Sequence, residues 1–263
     1  MSRYKGWSYK LRFSSLGSGS RGNAALVESG STSILIDCGF SVKQIEKRLE
    51  RLARNAGNLT AIIITHEHSD HVAGLAALTQ RYRIPVWITR GTFHGLADKN
   101  IPEINFFNSH TSFSIGDISV IPAPVPHDAR EPTQFIFESN GKRLGMLSDV
   151  GKITPHIERM FTKLDSIFVE SNHCMNMLQV GPYPRFLKER VGSGLGHLSN
   201  DQCAEFLKKI RCDRMQHIVA GHISDKNNCP QLVQETLSKA LSLNPESIKI
   251  ASQDRGIGWC EVK

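Results

Sequence analysis

The segment TAIIITHEHSDHVAGL, residues 60–75, passes directly from an apolar run into a cluster of ionisable side chains. The run AIIIT predicts a buried β-strand, because it is short, continuous and rich in isoleucine. His66 and His68 follow at the end of this strand, and Asp70 and His71 begin the next predicted helix. Imidazole and carboxylate groups are the usual ligands of zinc and similar divalent metals. The segment therefore predicts a metal site at the end of a buried strand.

Hydrophobic periodicity predicts strands and helices on both sides of this cluster. Apolar residues alternate with polar ones over residues 7–13, which predicts a first strand, and a turn at Gly30 joins the next two strands, ALVES and TSILID. Later strands are predicted at PVWIT, ISVIPAP, TQFIFES, KRLGMLSD, SIFVES and HIVAGH. Helices are predicted at VKQIEKRLERL, VAGLAALTQRY, SNDQCAEFLKKIR and PQLVQETLSKAL. This order indicates a layered α/β domain with mixed sheets.

Length and composition bound the class of protein. The 263 residues contain no repeat, low-complexity tract or linker, so we expect a single domain over residues 1–263. Six scattered cysteines include no C-x-x-C pair, which argues against a disulfide framework and a thiolate zinc site. We expect a cytoplasmic protein without a membrane segment, because no apolar run approaches the roughly 18 residues that a membrane helix needs. The net charge of +7 is compatible with a polyanionic partner such as nucleic acid.

The glycine-rich segment GSGSRG, residues 17–22, has the G-x-G-x-x-G form of a dinucleotide fingerprint. That fingerprint needs a helix directly after it, whereas the following NAALVESG predicts a strand and a turn. The sequence therefore argues against a Rossmann site. Two interpretations stay open, namely a simple hairpin loop and a loop whose backbone N–H groups line an anion site.

A site with two metals needs further ligands, including a bridging carboxylate, because the two ions lie only about 3.5–4 Å apart. Layered folds gather functional loops at strand ends, and candidate ligands follow several later predicted strands or motifs. They are His127, Asp149, His197 and His222. Each of them alone would more often be structural. Together with the first cluster they form an ordered set of candidate ligands.

The order of these motifs resembles that of the metallo-β-lactamase fold superfamily. The matching positions are Asp37 in LIDCG, the THEHSDH segment, His127, Asp149 and His222. The resemblance implies a four-layer αββα metallo-β-lactamase sandwich of the α/β (α+β) class. The segments SLGSGSRGN, ESNHC, GPYPRFLKERVGSGLGHLSN and GHISDKNN resemble the YycJ/WalJ family of that superfamily, over nearly the whole chain. That family commonly has ESNHD, and Cys174 stands here in place of the usual aspartate.

The resemblance also implies a ligand set for two divalent metal ions, either Zn²⁺ or Mn²⁺. It assigns His66, His68 and His127 to one ion, Asp70, His71 and His222 to the other, and Asp149 to a bridging position. Asp37 would hydrogen-bond within the metal loop and orient ligands. A turn-forming aspartate before Gly39 is the structural alternative. Oxygen and nitrogen ligands of this kind accept both metals, so the sequence leaves the native ion open.

Charge predicts the chemistry of such a centre. A hydroxide that bridges two metal ions is a nucleophile at neutral pH, because the metals lower the pKa of water from about 15.7 to about 7. His197 lies in a motif that resembles the phosphodiesterase branch of the superfamily, where it would protonate the leaving oxygen or hold the scissile phosphate. Glu170 would orient His197 and keep it charged. The alternative is that His197 is an ordinary residue before the helix-capping residues Ser199 and Asn200.

Basic residues and the additional histidine favour a phosphodiester substrate over a lactam or a thioester. Candidate substrate contacts come from the glycine loop, the ESNHC motif and the GPYP motif, namely Ser18, Ser20, Asn23, Asn172, His173, Tyr183 and Arg185. Tyr183 could stack on a base, as aromatic side chains do in single-strand channels. A solvated helix face and a core tyrosine are the structural alternatives.

The resemblance to the YycJ/WalJ family implies a DNA exonuclease of 5′ to 3′ polarity, with repair proteins as partners. The stretch from Asp149 to His222 is too short for the inserted domain of β-CASP nucleases, and no Gly/Pro-rich arm of tRNA 3′-processing enzymes is evident. The alternatives are a small-molecule phosphodiesterase, a glyoxalase-type thioesterase, an RNA-processing nuclease and a non-catalytic metal-dependent binding module.

Overall fold

A computed structural model of the protein describes residues 10–211 and 213–263. Its strands are β1 (Arg12–Gly17), β2 (Ala24–Ser29), β3 (Thr32–Ile36), β4 (Ala61–Ile63), β5 (Val86–Ile88), β6 (Ile104–Phe106), β7 (Phe113–Ile115), β8 (Ile118–Pro124), β9 (Thr133–Ser139), β10 (Lys142–Leu147), β11 (Ser166–Glu170), β12 (His217–Gly221), β13 (Ile248–Ile250) and β14 (Cys260–Glu261). Its helices are α1 (Val42–Glu50), α2 (Ser69–Val72), α3 (Leu75–Tyr82), α4 (Arg90–Gly95), α5 (Pro155–Met160), α6 (Met175–Val180), α7 (Arg185–Val191), α8 (Asn200–Ile210) and α9 (Pro230–Leu241).

The strands form two sheets, and apolar cores fill the spaces between four layers. The first sheet has the order β14-β1-β2-β3-β4-β5-β6, and the second has the order β13-β12-β11-β10-β9-β8-β7. Phe13 and Val27 of the first sheet join Phe135 and Phe137 of the second in a core between the sheets. A second core packs α1 and α3 on the outer face of the first sheet, and a third packs α5, α8 and α9 on the second. The four-layer αββα sandwich is therefore confirmed.

Strand direction positions the candidate site. In the first sheet β3, β4, β5 and β6 are parallel, so their carboxyl ends lie at one edge. In the second sheet β10, β11 and β12 are parallel, and β8 runs in the same direction because both β8 and β10 are antiparallel to β9. A hydrogen bond of 3.0 Å from Thr133 N to Thr65 O joins the two sheets near this edge. The loops after β3, β4, β8, β10, β11 and β12 therefore meet there.

The other predicted strands and the long helices are confirmed within the described part of the chain, with two corrections. The first strand, predicted to end at Phe13, begins at Arg12 and continues to Gly17, into the predicted Gly/Ser loop. The helix predicted over VAGLAALTQRY is broken, since α2 ends at Val72 and α3 begins at Leu75. Gly74 lies at the break, where any Cβ would overlap the carbonyl oxygen of Phe40. Strands β6, β7, β13 and β14 and helices α4 to α7 were not predicted, because each is too short to show a hydrophobic period.

Some expectations concern residues outside the described part, and others concern features that are absent from it. Residues 7–9 of the first predicted strand and Cys212 lie outside the described residues. The other five cysteines are free thiols. Across 10–211 and 213–263 no helix is both long and apolar enough to cross a membrane.

Candidate metal centre

Three histidines from two sheets converge at the shared edge. His66 and His68 follow β4, and His127 follows β8, so the two layers of the sandwich supply them separately. Their candidate ligand atoms all lie within 4.8 Å of one another. His66 Nε2 is 3.1 Å from His68 Nδ1, and the ring centroid of His127 is 5.0 Å from those of both other rings. The strand ends therefore bring three nitrogen donors to one point.

The protonation of these rings fits a metal ion. His127 Nδ1 lies 3.0 Å from the carbonyl oxygen of Gly196 and donates to it, whereas the buried His127 Nε2 has no hydrogen-bond partner. His68 Nε2 lies 3.2 Å from the carbonyl oxygen of Asp128, which leaves His68 Nδ1 for the cluster. Burial lowers the pKa of His66 and of His127, so both rings are neutral. Neutral imidazoles with convergent lone pairs are the donors that a divalent cation requires.

Asp149 lies between this triad and a second group of predicted ligands. Its Oδ2 is 3.4 Å from His71 Nε2, and its Oδ1 is 3.1 Å from His222 Nδ1 and 4.0 Å from His127 Nε2. Burial opposes its charge, but His222 and His71 outweigh burial and hold the pKa of Asp149 well below its usual range. A bound cation would replace the protons that these histidines carry, since metal binding competes with protonation. This position is suited to a bridging carboxylate.

Asp70 lies beside the same group at the start of α2. Its Oδ2 is 3.5 Å from His71 Nε2 and accepts a hydrogen bond of 3.2 Å from Asn23 Nδ2. Asn23 Nδ2 is also 3.1 Å from His71 Nε2. From the glycine loop, the amide of Asn23 therefore contacts Asp70 and His71, two of the three ligands predicted for the second metal.

Asp37 holds the ring of His71. The buried Asp37 carboxylate is 2.7 Å from His71 Nδ1 and accepts hydrogen bonds from Thr65 N at 2.9 Å and from Thr65 Oγ1. This contact turns His71 Nε2 toward Asp149 and Asp70. Carboxylates that hold the far nitrogen of a metal-binding histidine fix its orientation and its basicity. The geometry therefore fits the orienting role that the resemblance implies for Asp37.

Three non-glycine residues of the candidate centre adopt the left-handed backbone conformation, with positive φ angles. The φ angles are 60° at Asp37, 54° at Asp149 and 51° at His222, and each residue lies directly beyond the end of a strand or one residue further on. Such conformations cost about 1–3 kcal/mol each and cluster at functional sites. The left-handed turns direct the three side chains toward the shared edge. The backbone strain is therefore explained by the positioning of these side chains.

Glu170 and His197 lie next to the ligands. His197 Nδ1 is 2.9 Å from Glu170 Oε1, and the other carboxylate oxygen accepts a hydrogen bond of 2.9 Å from Leu198 N. Glu170 Oε1 is also 3.1 Å from His222 Nδ1 and accepts from Asp149 N at 3.2 Å. Burial opposes ionisation, but His197 outweighs it and lowers the pKa of Glu170 to about 2. Glu170 is therefore an anion that orients the ring of His197 and accepts hydrogen bonds from the backbone at Asp149 and Leu198.

Several predicted substrate contacts lie behind the ligands. Ser18 Oγ accepts a hydrogen bond of 2.8 Å from His222 N, and Asn172 Nδ2 donates to His222 O at 2.8 Å. Asn23 is buried against Asp70, as described above. His173 is fully buried, and neither of its ring nitrogens has a partner. In this structure Ser18 and Asn172 hydrogen-bond to the backbone of the predicted ligand His222, and Asn23 hydrogen-bonds to the side chain of the predicted ligand Asp70.

The remaining predicted contacts lie at the surface. Ser20 and Arg185 are exposed, and Tyr183 is half-buried in the segment before α7. Arg185 Nε donates to Glu189 Oε1 at 2.7 Å. The structure therefore separates the predicted contacts into a buried supporting group and an exposed group.

Asp128 was not predicted as a site residue. Its Oδ1 lies 3.4 Å from the unpaired His127 Nε2 and 3.9 Å from His68 Nε2, while its Oδ2 accepts a hydrogen bond of 2.6 Å from Arg190 Nε. Burial opposes its charge, but Arg190 outweighs burial and lowers the pKa of Asp128. The sequence contains a signal for this residue, because Asp128 is adjacent to the candidate ligand His127. Asp70 and His71 form a similar adjacent pair of an acid and a histidine.

Gly39 sets the spacing of the metal loop, and its replacement is a test. A Cβ at this position would overlap the carbonyl oxygen of Asp70 and come within 2.6 Å of Asn23 N. We expect Gly39→Ala to displace α2 and to lower metal affinity and activity by about 10- to 100-fold, as loss of ligand support does. Metal content per chain and the unfolding temperature measure this. Gly258→Ala is the control, because its Cβ would meet nothing within 4 Å, and equal metal content in the two variants would contradict the prediction.

Comparisons with known proteins identify the family. A family model described as a beta-lactamase superfamily domain matches residues 32–223. The chain is 33% identical over 235 residues to the exodeoxyribonuclease YycJ of Bacillus anthracis, covering 88% of this chain and 89% of the relative. It is 31% identical over 254 residues to the exodeoxyribonuclease WalJ of Streptococcus pneumoniae serotype 2 (strain D39 / NCTC 7466), covering 94% and 91%. YhfI of Bacillus subtilis, a metallo-β-lactamase fold protein, matches with a TM-score of 0.73 at 15% identity over 96% of this chain and 99% of its own. The chain therefore belongs to the β-lactamase superfamily as a YycJ/WalJ-like protein with the metallo-β-lactamase fold.

Proposed function

We propose that the protein is a metal-dependent phosphodiesterase that degrades DNA from a 5′ end. The observation that carries this proposal is the pair of His197 and Glu170 next to the candidate ligand cluster, since cleavage of a nucleic-acid phosphodiester expels an alkoxide that needs a proton donor. The exodeoxyribonucleases YycJ and WalJ, which match this chain over most of its length, support DNA as the substrate.

The ligand assignment in this proposal follows the two groups at the shared edge. His66, His68 and His127 would hold one divalent ion, Asp70, His71 and His222 would hold a second, and Asp149 would be shared by the two groups. When bound, Zn²⁺ or Mn²⁺ supplies Lewis acidity and a water of lowered pKa. Asp37, Asn23 and Ser18 hold the ligands in place through the hydrogen bonds described above.

His197 is the residue that acts on the leaving group in this proposal. Its Nδ1 is held at 2.9 Å by the anionic Glu170, which fixes the orientation of the ring. Its side chain is 15% exposed, so one edge of the ring is accessible to a substrate. The ring centroid of His197 is 5.3 Å from that of His127 and 5.0 Å from that of His222, so His197 lies beside a predicted ligand of each ion. A proton donor here is next to the phosphate that the metals would bind.

Digestion of labelled substrates tests the proposal. We expect the protein with Mn²⁺ or Zn²⁺ to release labelled mononucleotides from 5′-labelled DNA, and EDTA to stop the reaction until metal is restored. Duplex DNA, single-stranded DNA and RNA of the same sequence are compared, with Asp70→Asn as the ligand variant. Cleavage of RNA alone, or of a small phosphodiester or a thioester alone, would overturn the choice of DNA and favour the corresponding alternative.

A further inference from the structure

Exposed apolar side chains are concentrated in one segment of the described chain. Five large hydrophobic residues are exposed in the described part of the chain. Four of them lie within residues 175–195, namely Met175, Val180, Phe186 and Leu195. Phe186, on α7, is 72% exposed. Single exposed apolar residues are common on protein surfaces, but four of them in one short segment make this segment a candidate interaction surface.

The same segment is attached to the candidate metal centre by backbone hydrogen bonds. Asp128 N donates to Leu195 O at 3.0 Å, and His197 N donates to Val191 O at 2.9 Å. The carbonyl oxygen of Gly196 accepts from His127 Nδ1 at 3.0 Å. The end of α7 and the turn after it therefore have a fixed position relative to the predicted ligand His127 and to His197.

Helix geometry relates Phe186 to this centre. Phe186 and Arg190 are four residues apart on α7, so their side chains share a face with Cβ atoms about 5–6 Å apart. Arg190 Nε donates to Asp128 Oδ2 at 2.6 Å, and Asp128 Oδ1 is 3.4 Å from His127 Nε2. The face that carries Phe186 therefore ends at the rim of the metal centre, one helical turn away.

The charge of α7 favours a polyanion over an apolar partner. The helix carries Arg185, Lys188 and Arg190 against a single acid, Glu189. The side chain of Arg185 is 92% exposed, so its guanidinium group is accessible even though it contacts Glu189. An aromatic ring among basic side chains is the usual composition of a surface that binds single-stranded nucleic acid, where bases stack and cations contact phosphates.

We infer that Phe186 stacks on a base of a single-stranded DNA end and that the α7 face from Phe186 to Arg190 guides this strand into the metal centre. The inference rests on the proposed function and adds that the DNA end is single-stranded where it enters the site. A paired base is stacked within its duplex, whereas an unpaired base offers its face to a ring. The end of the strand is therefore unpaired for a few nucleotides when it reaches His197.

Phe186 variants test the inference through binding and cleavage. Fluorescence anisotropy measures the affinity for a single-stranded oligonucleotide, and initial rates measure its digestion. We expect Phe186→Ala and Phe186→Leu to weaken both by about tenfold or more, within the range of losses for a base–aromatic stack. We expect Phe186→Trp to retain both, because it keeps an aromatic face. Hydrolysis of bis(p-nitrophenyl) phosphate, which has no base, should stay unchanged in all three variants.

The control is Phe106→Ala, which removes another exposed phenylalanine, on β6 of the first sheet. If Phe186→Ala binds the oligonucleotide as tightly as the wild type does, the inference is overturned. DNA cleavage by the wild type would still support the proposed function in that case. If the wild-type protein binds the single-stranded oligonucleotide but does not cleave it, the proposed nuclease function is refuted. The affinities of the Phe186 variants then decide the inference on their own. A loss of self-association in Phe186→Ala with unchanged affinity for DNA would show an interface between copies of the chain and overturn the inference.

Discussion

Asp149→Asn is expected to abolish DNA hydrolysis and to remove bound metal from the protein. The Asp149 carboxylate lies between His71 and His222, and no other described carboxylate forms an ion pair with both rings. An asparagine keeps the volume and tolerates the left-handed backbone at φ 54°, but it removes the negative charge. Metal ions contribute several kcal/mol to transition-state stabilisation, so we expect a loss of about a thousandfold or more in kcat.

Metal content and activity are measured on the same preparation of this variant. Elemental analysis gives metal per chain, and the unfolding temperature with and without added metal shows whether the variant is folded and has lost its response to metal. Asp98→Asn is the matched control, since Asp98 is an exposed loop carboxylate. Full metal content and activity within tenfold of the wild type in Asp149→Asn would contradict the bridging assignment.

The convergence of the first four candidate ligands could be predicted from sequence because their spacing is local. His66, His68, Asp70 and His71 lie within six consecutive residues after a strand, so their order alone indicates convergence. The fold was predictable for a related reason, since long periodic runs such as TQFIFES and NDQCAEFLKKI decide their own secondary structure.

Apart from Asp37 and Glu170, whose orienting roles the resemblance implies, the supports of the cluster could not be predicted, because they are contacts between distant parts of the chain. The hydrogen bond from His222 N to Ser18 Oγ joins residues 204 positions apart, and nothing near Ser18 in sequence indicates this partner. The ion pair of Arg190 with Asp128 depends on how α7 packs beside the loop after β8. Left-handed turns at Asp149 and His222 likewise follow from tertiary packing, since neither residue type requires that conformation.

His197→Ala is expected to lower the rate of DNA cleavage by about 10²- to 10⁴-fold, the usual contribution of general acid–base catalysis, while metal remains bound. His197 belongs to a group with Asp149, Glu170 and His222 whose candidate ligand atoms all lie within 4.8 Å of one another, so a role as metal ligand needs a direct test. Elemental analysis of the variant provides it. Loss of metal comparable to that of Asp149→Asn would assign His197 to the ligands instead.

A change of leaving group separates the two remaining roles of His197. A p-nitrophenolate leaves without a proton, whereas the alkoxide of a nucleotide needs one, so a general acid matters only for the second. If His197 protonates the leaving oxygen, His197→Ala cuts DNA slowly but hydrolyses bis(p-nitrophenyl) phosphate at nearly the wild-type rate. If His197 holds the scissile phosphate, both substrates suffer alike, because both present the same anionic phosphate to the centre. Glu170→Gln should then follow the pattern of His197→Ala with a smaller effect, since Glu170 acts on the substrate through the ring that it holds at 2.9 Å.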